Sequence, residues 1–306
     1  MRSLLAILSV TWLATAQTPP AKSDGQYAGG IFSIPLSDVP KYAAKTKMGR
    51  ATEAKSGGAK TSGSGPYPAK GAMDTSIPNH TVYAPIAKPN ITMPIIVWDN
   101  GGCGTDPTQF GNFLTEVASH GYVISAVGKA GGLGRQSKVQ DNRDSIEWAL
   151  KGSAAKYGEV DTTKLIAAGQ SCGGLSAYST SYHDPRVKLL MLFNVGIFDD
   201  AKRYLIKEIK TPIGYFLGGV TDFGAPGAEK DYVELPAGVP AWKGNLDTGH
   251  GGTYSATNGG KMGIAAVDFL QWQMRGDANS KAKMLDPKTA GSLVSQNWKV
   301  EFKNWT

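Results

Sequence analysis

From about residue 66 onward, hydrophobic and polar positions fall into two alternating textures. Short, almost unbroken apolar runs recur: MPIIVW (93–98), YVISAV (122–127), KLIAAG (164–169), VKLLMLF (187–193) and PIGYFL (212–217). Runs of that length with no polar alternation suit strands buried on both faces of a parallel sheet. Between them lie stretches with helical spacing. TQFGNFLTEVASHG puts Phe110, Phe113, Leu114 and Val117 on one face and stops at His120-Gly121. SIEWALKGSAAKYG, GLSAYSTSYH, AKRYLIKEI and MGIAAVDFLQWQMRG read the same way. Strands alternating with helices imply right-handed crossovers, hence an α/β protein with a mostly parallel central sheet covered by helices on both faces. The short spacer between NVG (194–196) and PIGYF (212–216) leaves no room for a large lid.

The first 64 residues break this pattern. Arg2, an apolar run from Leu4 to Leu13 and the triplet Ala14-Thr15-Ala16 have the layout of a secretory signal peptide, residues 1–16, with cleavage after Ala16. The chain is therefore expected outside the cell. No other run approaches the roughly 18 apolar residues of a membrane helix, so no membrane partner is expected. Residues 17–64 are rich in Gly, Ser and Lys and read as a flexible segment, leaving 65–306 as one domain. The net charge of +7 sits mostly here: from Gln17 to Lys70 there are eight Lys or Arg against three acids. Basic residues interspersed with Gly, Ser, Ala and Thr look solvated, not like a folded nucleic-acid face, so no nucleic-acid partner is expected. The Asn-x-Thr sequons at Asn79 and Asn90 are glycan acceptors in a eukaryotic secretory pathway; a third begins at Asn304.

Chemistry concentrates in three places. GQSCGG (169–174) follows the run KLIAAG and opens a helix, the strand–turn–helix setting of a nucleophile elbow with Ser171 at its tip. A serine needs a base. Of the four histidines, His80, His120 and His183 sit where structure explains them, whereas His250 lies in DTGHGGTY, after the last strand and before the last helix. The base needs a carboxylate. Asp222, in GGVTDFG past the preceding strand, fits best, with Asp199 and Asp200 as competitors. Oxyanion donors are expected from the Cys172 amide and from NGGCG (100–104), at Gly101, Gly102 or Cys103. The order Ser…Asp…His is that of α/β-hydrolases. No metal site is expected, because the histidines are scattered and no C-x-x-C or H-x-x-x-H occurs; GKAGGLGRQ (128–136) lacks both nucleotide-binding glycine spacings and reads as a loop beside the active site.

The series GPY…IPNHTVYAP…PIIVWDNGGCG…FLTEVASHGYVI…IAAGQSCGG…GGVTD…LPAGVPAWKGNL…GHGGTY resembles a family of secreted fungal α/β-hydrolases related to dienelactone-hydrolase-like and polyester-hydrolase-like serine esterases. The resemblance runs from about Gly65 to the C-terminus. It implies an α/β-hydrolase fold, a Ser171–Asp222–His250 triad, and carboxylic-ester cleavage through an acyl-enzyme without a cofactor. The substrate would be a small or polymeric ester and the protein a monomer. A serine peptidase of the same fold and a catalytically silent secreted binding protein are the alternatives. In that fold the loop after PIIVW meets the elbow, so Cys103 and Cys172 are expected to form a disulfide in an oxidising compartment. Phe223, Trp242 and Tyr254 are the aromatics expected on the substrate rim, with Trp98 a weaker candidate; a place in the core is the equal alternative for each.

Overall fold

The computed structural model describes residues 24–46, 51–53, 57–132 and 134–305. Its centre is a single sheet of nine strands: β1 (Ala69–Met73), β2 (His80–Pro85), β3 (Met93–Asp99), β4 (Val123–Val127), β5 (Val160–Gln170), β6 (Val187–Phe193), β7 (Ile213–Leu217), β8 (Ala241–Asn245) and β9 (Lys299–Lys303). The five apolar runs of the sequence became β3 to β7. The helices are α1 (Val39–Ala43), α2 (Gly111–Ser119), α3 (Val139–Leu150), α4 (Cys172–Ser181), α5 (Ala225–Glu234), α6 (Gly260–Arg275) and α7 (Ala278–Leu285). Trp148 of α3, Tyr178 of α4 and Tyr232 of α5 join the core on one face of the sheet. Phe113 of α2, Phe269 of α6 and Met284 of α7 join the core on the other. A fully buried ring such as Phe216 contributes roughly 1.5–3 kcal/mol by its removal from water. Among the described residues, no helix is long and apolar enough to cross a membrane.

Strand order decides where a site can form. The order is β1-β2-β4-β3-β5-β6-β7-β8-β9, parallel from β4 through β8, with β1, β2 and β9 antiparallel to their neighbours. From β3 the chain goes to β4 on one side, then returns past β3 to β5 on the other. Such a reversal leaves a crevice outside the carboxyl ends of β3 and β5. Those two ends carry NGGCG and GQSCGG, with Asp99 of β3 in register with Gly169 of β5.

The structure differs from the sequence reading in three respects. The flexible segment expected over 17–64 does not hold for its described parts. Phe32 is fully buried and Ile34 is in the core. Further on, the Glu53 amide donates to the Asp247 carbonyl (2.7 Å) and the Gly58 amide to that of Ser255 (2.9 Å). Glycine and lysine spacing concealed a few anchoring apolar residues. AKRYLIKEI forms a 3-10 run, Asp200–Glu208, in place of an α-helix. Helices α5 and α7 and strand β9 lack strong apolar periodicity; β9 is an edge strand with no buried position. The signal peptide expected at 1–16 lies outside the described residues.

Candidate active site

Ser171 stands between the end of β5 and the first residue of α4. Its backbone has φ 54° and ψ −122°, a region that costs a non-glycine residue about 1–3 kcal/mol and persists only where the surroundings enforce it. The enforcement is close packing. A Cβ on Gly169 would overlap the Gly173 carbonyl, and one on Gly173 would overlap that of Asp99. Only glycines let the three backbone segments approach so nearly.

The turn aims Ser171 Oγ at His250, whose Nε2 lies 2.9 Å away and accepts its proton. On the other side of the ring, Nδ1 donates to Asp222 Oδ1 at 2.7 Å. Asp222 is fully buried, yet every lone pair direction is used. Gly224 N donates to Oδ1 (3.0 Å), and Gly218 N and Asn194 Nδ2 donate to Oδ2 (2.9 Å each). This donor set fixes the carboxylate and, through it, the imidazole tautomer. Two contacts hold the His250 loop itself. Gln170 Nε2 donates to the His250 carbonyl (2.9 Å), and Phe223 stacks on the imidazole at 3.6 Å between centroids. Sequence reasoning missed Asn194 and Gln170. A lone polar residue ending the buried run VKLLMLF was the available signal for Asn194.

The disulfide is present: Cys103 and Cys172 have Cα atoms 5.1 Å apart. It joins the loop after β3 to the start of α4. The Cys172 amide belongs to the first turn of α4 and has no intrahelical acceptor there, and the helix dipole adds positive potential at that end. In the loop, Cys103 N donates to the Asn100 carbonyl (3.1 Å) and Gly104 N to that of Gly101 (3.2 Å). Cys103 is therefore removed as an oxyanion donor, because its N–H is spent inside the turn. Gly101 and Gly102 remain; Gly102, at φ 64°, lines the space beside Ser171.

Two cavities meet at Ser171, His250 and Gly102. One, of about 290 Å³, is lined by Ile34, Leu36, Val39, Leu175, Phe198 and Phe223. The other, of about 370 Å³, is lined by Gln109, Phe110, Gln170, Gly251, Tyr254 and Ser255. Phe223 and Tyr254 thus reach the site as expected, although Tyr254 is buried and its hydroxyl donates to Asn194 Oδ1. Burial and the charge of Asp222 push that phenol well above its ordinary pKa, keeping it a neutral donor. Trp242 is not on the rim. Its side chain points away from the cavities into the core, against Phe216 and Phe269, and is fully buried. Trp98 is likewise core, donating to Asn100 Oδ1 (3.0 Å). Ser33, Ile34, Leu36 and Val39, from the segment expected to be flexible, line the first cavity.

The competing candidates have other occupations. His80 bonds the carbonyls of Pro78 and Asp141, His120 pairs with Glu116, and His183 with Glu208. Asp199 caps Ala201, and Asp200 pairs with Arg203 and Lys230. The glycine-rich loop after β4 abuts Thr105 and Asp106 and lines neither cavity. Asn79 and Asn90 are exposed. A further recess of about 710 Å³ around Tyr27, Tyr182 and Tyr204 holds none of the triad residues.

Beneath the elbow lies Asp99, fully buried and without a cationic partner among the described residues. It accepts from Asn100 N (2.8 Å) and Ser137 Oγ (3.0 Å), yet burial raises its carboxyl to about 6. Compared with known families and curated proteins, the sequence matches no family model and no curated protein.

Proposed function

We propose that this chain is a secreted serine hydrolase with an α/β-hydrolase fold that cleaves carboxylic esters through an acyl-enzyme. The observation that carries the reading is the unbroken line Ser171 Oγ–His250 Nε2 and His250 Nδ1–Asp222 Oδ1, at 2.9 and 2.7 Å. Its setting at the carboxyl edge of a mostly parallel sheet is where such an elbow presents its nucleophile.

In the proposed cycle Ser171 Oγ attacks the ester carbonyl carbon as its proton passes to His250 Nε2. The oxyanion that forms faces the amides of Cys172 and of Gly101 or Gly102. Asp222 stabilises the resulting imidazolium. Collapse breaks the bond to the alcohol oxygen, which takes the proton from His250. Water then enters, gives a proton to the same nitrogen and attacks the acyl carbon, releasing the acid and restoring Ser171. The disulfide and the exposed sequons support an extracellular setting.

The test is a hydrolysis panel of acetate, longer acyl, hydroxycinnamate, acetylated-sugar and polyester substrates, run on wild type and Ser171→Ala. The expected result is turnover of at least one class, reduced by roughly three or more orders of magnitude in the variant. A folded protein that cleaves none of them would contradict the esterase reading and leave the serine peptidase and the silent binding protein as the alternatives.

A further inference from the structure

The apolar cavity beside Ser171 is not walled by the sheet and its helices alone. Ile34, Leu36 and Val39, from the segment before β1, line it together with Leu175, Phe198 and Phe223. This strap is fixed at both ends. At one end, Phe32 stacks on Tyr178 of α4 at 4.9 Å and meets Tyr182 edge-on at 5.5 Å. Ser179 Oγ donates to the Gly29 carbonyl (2.7 Å), and Lys202 Nζ to that of Ser33. At the other end, a file of rings runs to the base. Tyr42 of α1 packs on Phe198 at 5.2 Å, Phe198 on Phe223 at 6.0 Å, and Phe223 on His250 at 3.6 Å. A loose tail has no such anchors.

The two cavities differ in chemistry. The strap side is lined mostly by buried or half-buried apolar side chains, whereas the other side carries Gln109, Gln170 and Ser255, with Gln109 and Gly251 exposed. In a two-step acyl transfer, water must come to the place the alcohol has left. The open polar side suits the alcohol and the water that follows it. The apolar side suits the group that stays on Ser171.

We propose that residues 33–39 form the specificity wall of an acyl pocket, so that the preferred substrates are esters of an apolar acid of medium length with a polar alcohol. The proposal rests on the esterase reading above. A cavity of about 290 Å³ holds roughly ten groups of the size of a water, at about 30 Å³ each, enough for an acyl chain of about six to eight carbons with slack. Each methylene that enters the pocket raises kcat/KM by up to about fourfold, the equivalent of about 0.8 kcal/mol.

The experiment uses the full secreted chain and p-nitrophenyl esters of straight-chain acids from two to sixteen carbons. With wild type, kcat/KM should climb with chain length, peak near eight carbons and fall beyond. Val39→Trp, which narrows the pocket, should lower the octanoate-to-acetate ratio of kcat/KM at least tenfold. Leu36→Ala, which widens it, should move the optimum to longer chains. A flat profile with acetate still cleaved, or the same ratio and optimum in both variants, overturns the acyl wall and leaves the esterase reading standing. Failure to cleave any of the esters removes the esterase reading and the acyl wall with it.

Discussion

Removing the Cys103–Cys172 bridge should have two separable effects. The double substitution Cys103→Ala/Cys172→Ala deletes the bond without leaving a free thiol, and it keeps the backbone N–H at position 172. The bridge spans a sequence separation of 69 residues. In the chain-entropy treatment, a loop of that length is worth about 4 kcal/mol at 25 °C. For a domain of this size each kcal/mol moves the melting temperature by about 2–4 °C, so a fall of roughly 8–16 °C is expected. The catalytic effect has a narrower cause. Asn100 already closes the proposed oxyanion loop and ties it to β4, since its Nδ2 donates to the carbonyls of Gly104 (2.9 Å) and Val127 (2.8 Å). The bridge adds a covalent tie from Cys103 to α4, the helix whose first amide is the other proposed donor. Losing a whole donor costs about 10²–10³ in kcat, so loosening one side should cost about tenfold, in kcat more than in KM. Thermal unfolding by circular dichroism and steady-state kinetics on a short ester read the two effects separately. A melting temperature within about 2 °C of wild type would refute the entropic staple. A lower melting temperature with unchanged kcat would refute the clamp on the oxyanion donors.

Asp99→Asn should alter the pH dependence of stability. The folded carboxyl titrates at about 6, above the ordinary value near 3.8, so its ionised form is penalised by burial in the fold. Stability contributed by this site should therefore be present below about pH 4 and lost as pH rises through 6, by on the order of 3 kcal/mol. Denaturant unfolding from pH 4 to 8 should show a shallower fall in stability in Asp99→Asn than in wild type, the remainder coming from groups such as Asp231, which burial raises to about 7; identical slopes would contradict the assignment. Asn194→Ala leaves the Tyr254 hydroxyl without its acceptor and removes one of four donors to Asp222, costing about 1–3 kcal/mol of stability. It should also lower kcat about tenfold with little change in KM, and a kcat within twofold of wild type would show that Asn194 does not position the carboxylate.

What the sequence made legible was what local pattern encodes. Five buried strands announced themselves as apolar runs, because a parallel sheet covered on both faces leaves them no polar side. Ser171, Asp222, His250 and the two cysteines could be singled out because each follows a strand at its carboxyl end, where topology gathers them. Long-range packing was not legible. The strap lies in a segment that is Gly-, Ser- and Lys-rich overall, and Phe32, Ile34 and Tyr42 pack there against partners more than a hundred residues away. Trp242 illustrates the converse case. Between rim and core the sequence left it open, and strand alternation turns the side chain into the core against Phe269 of α6. Cys103 was misjudged as a donor, since only the turn geometry reveals that its amide is already taken.

The nucleophile assignment is tested most directly by labelling the folded protein with a fluorophosphonate and mapping the adduct by intact-mass and peptide mass spectrometry. A single adduct on Ser171 is expected, absent from Ser171→Ala and formed at least a hundredfold more slowly in His250→Ala, where no base takes the serine proton. An adduct on another residue, or none on the folded wild-type chain, would contradict the proposed triad.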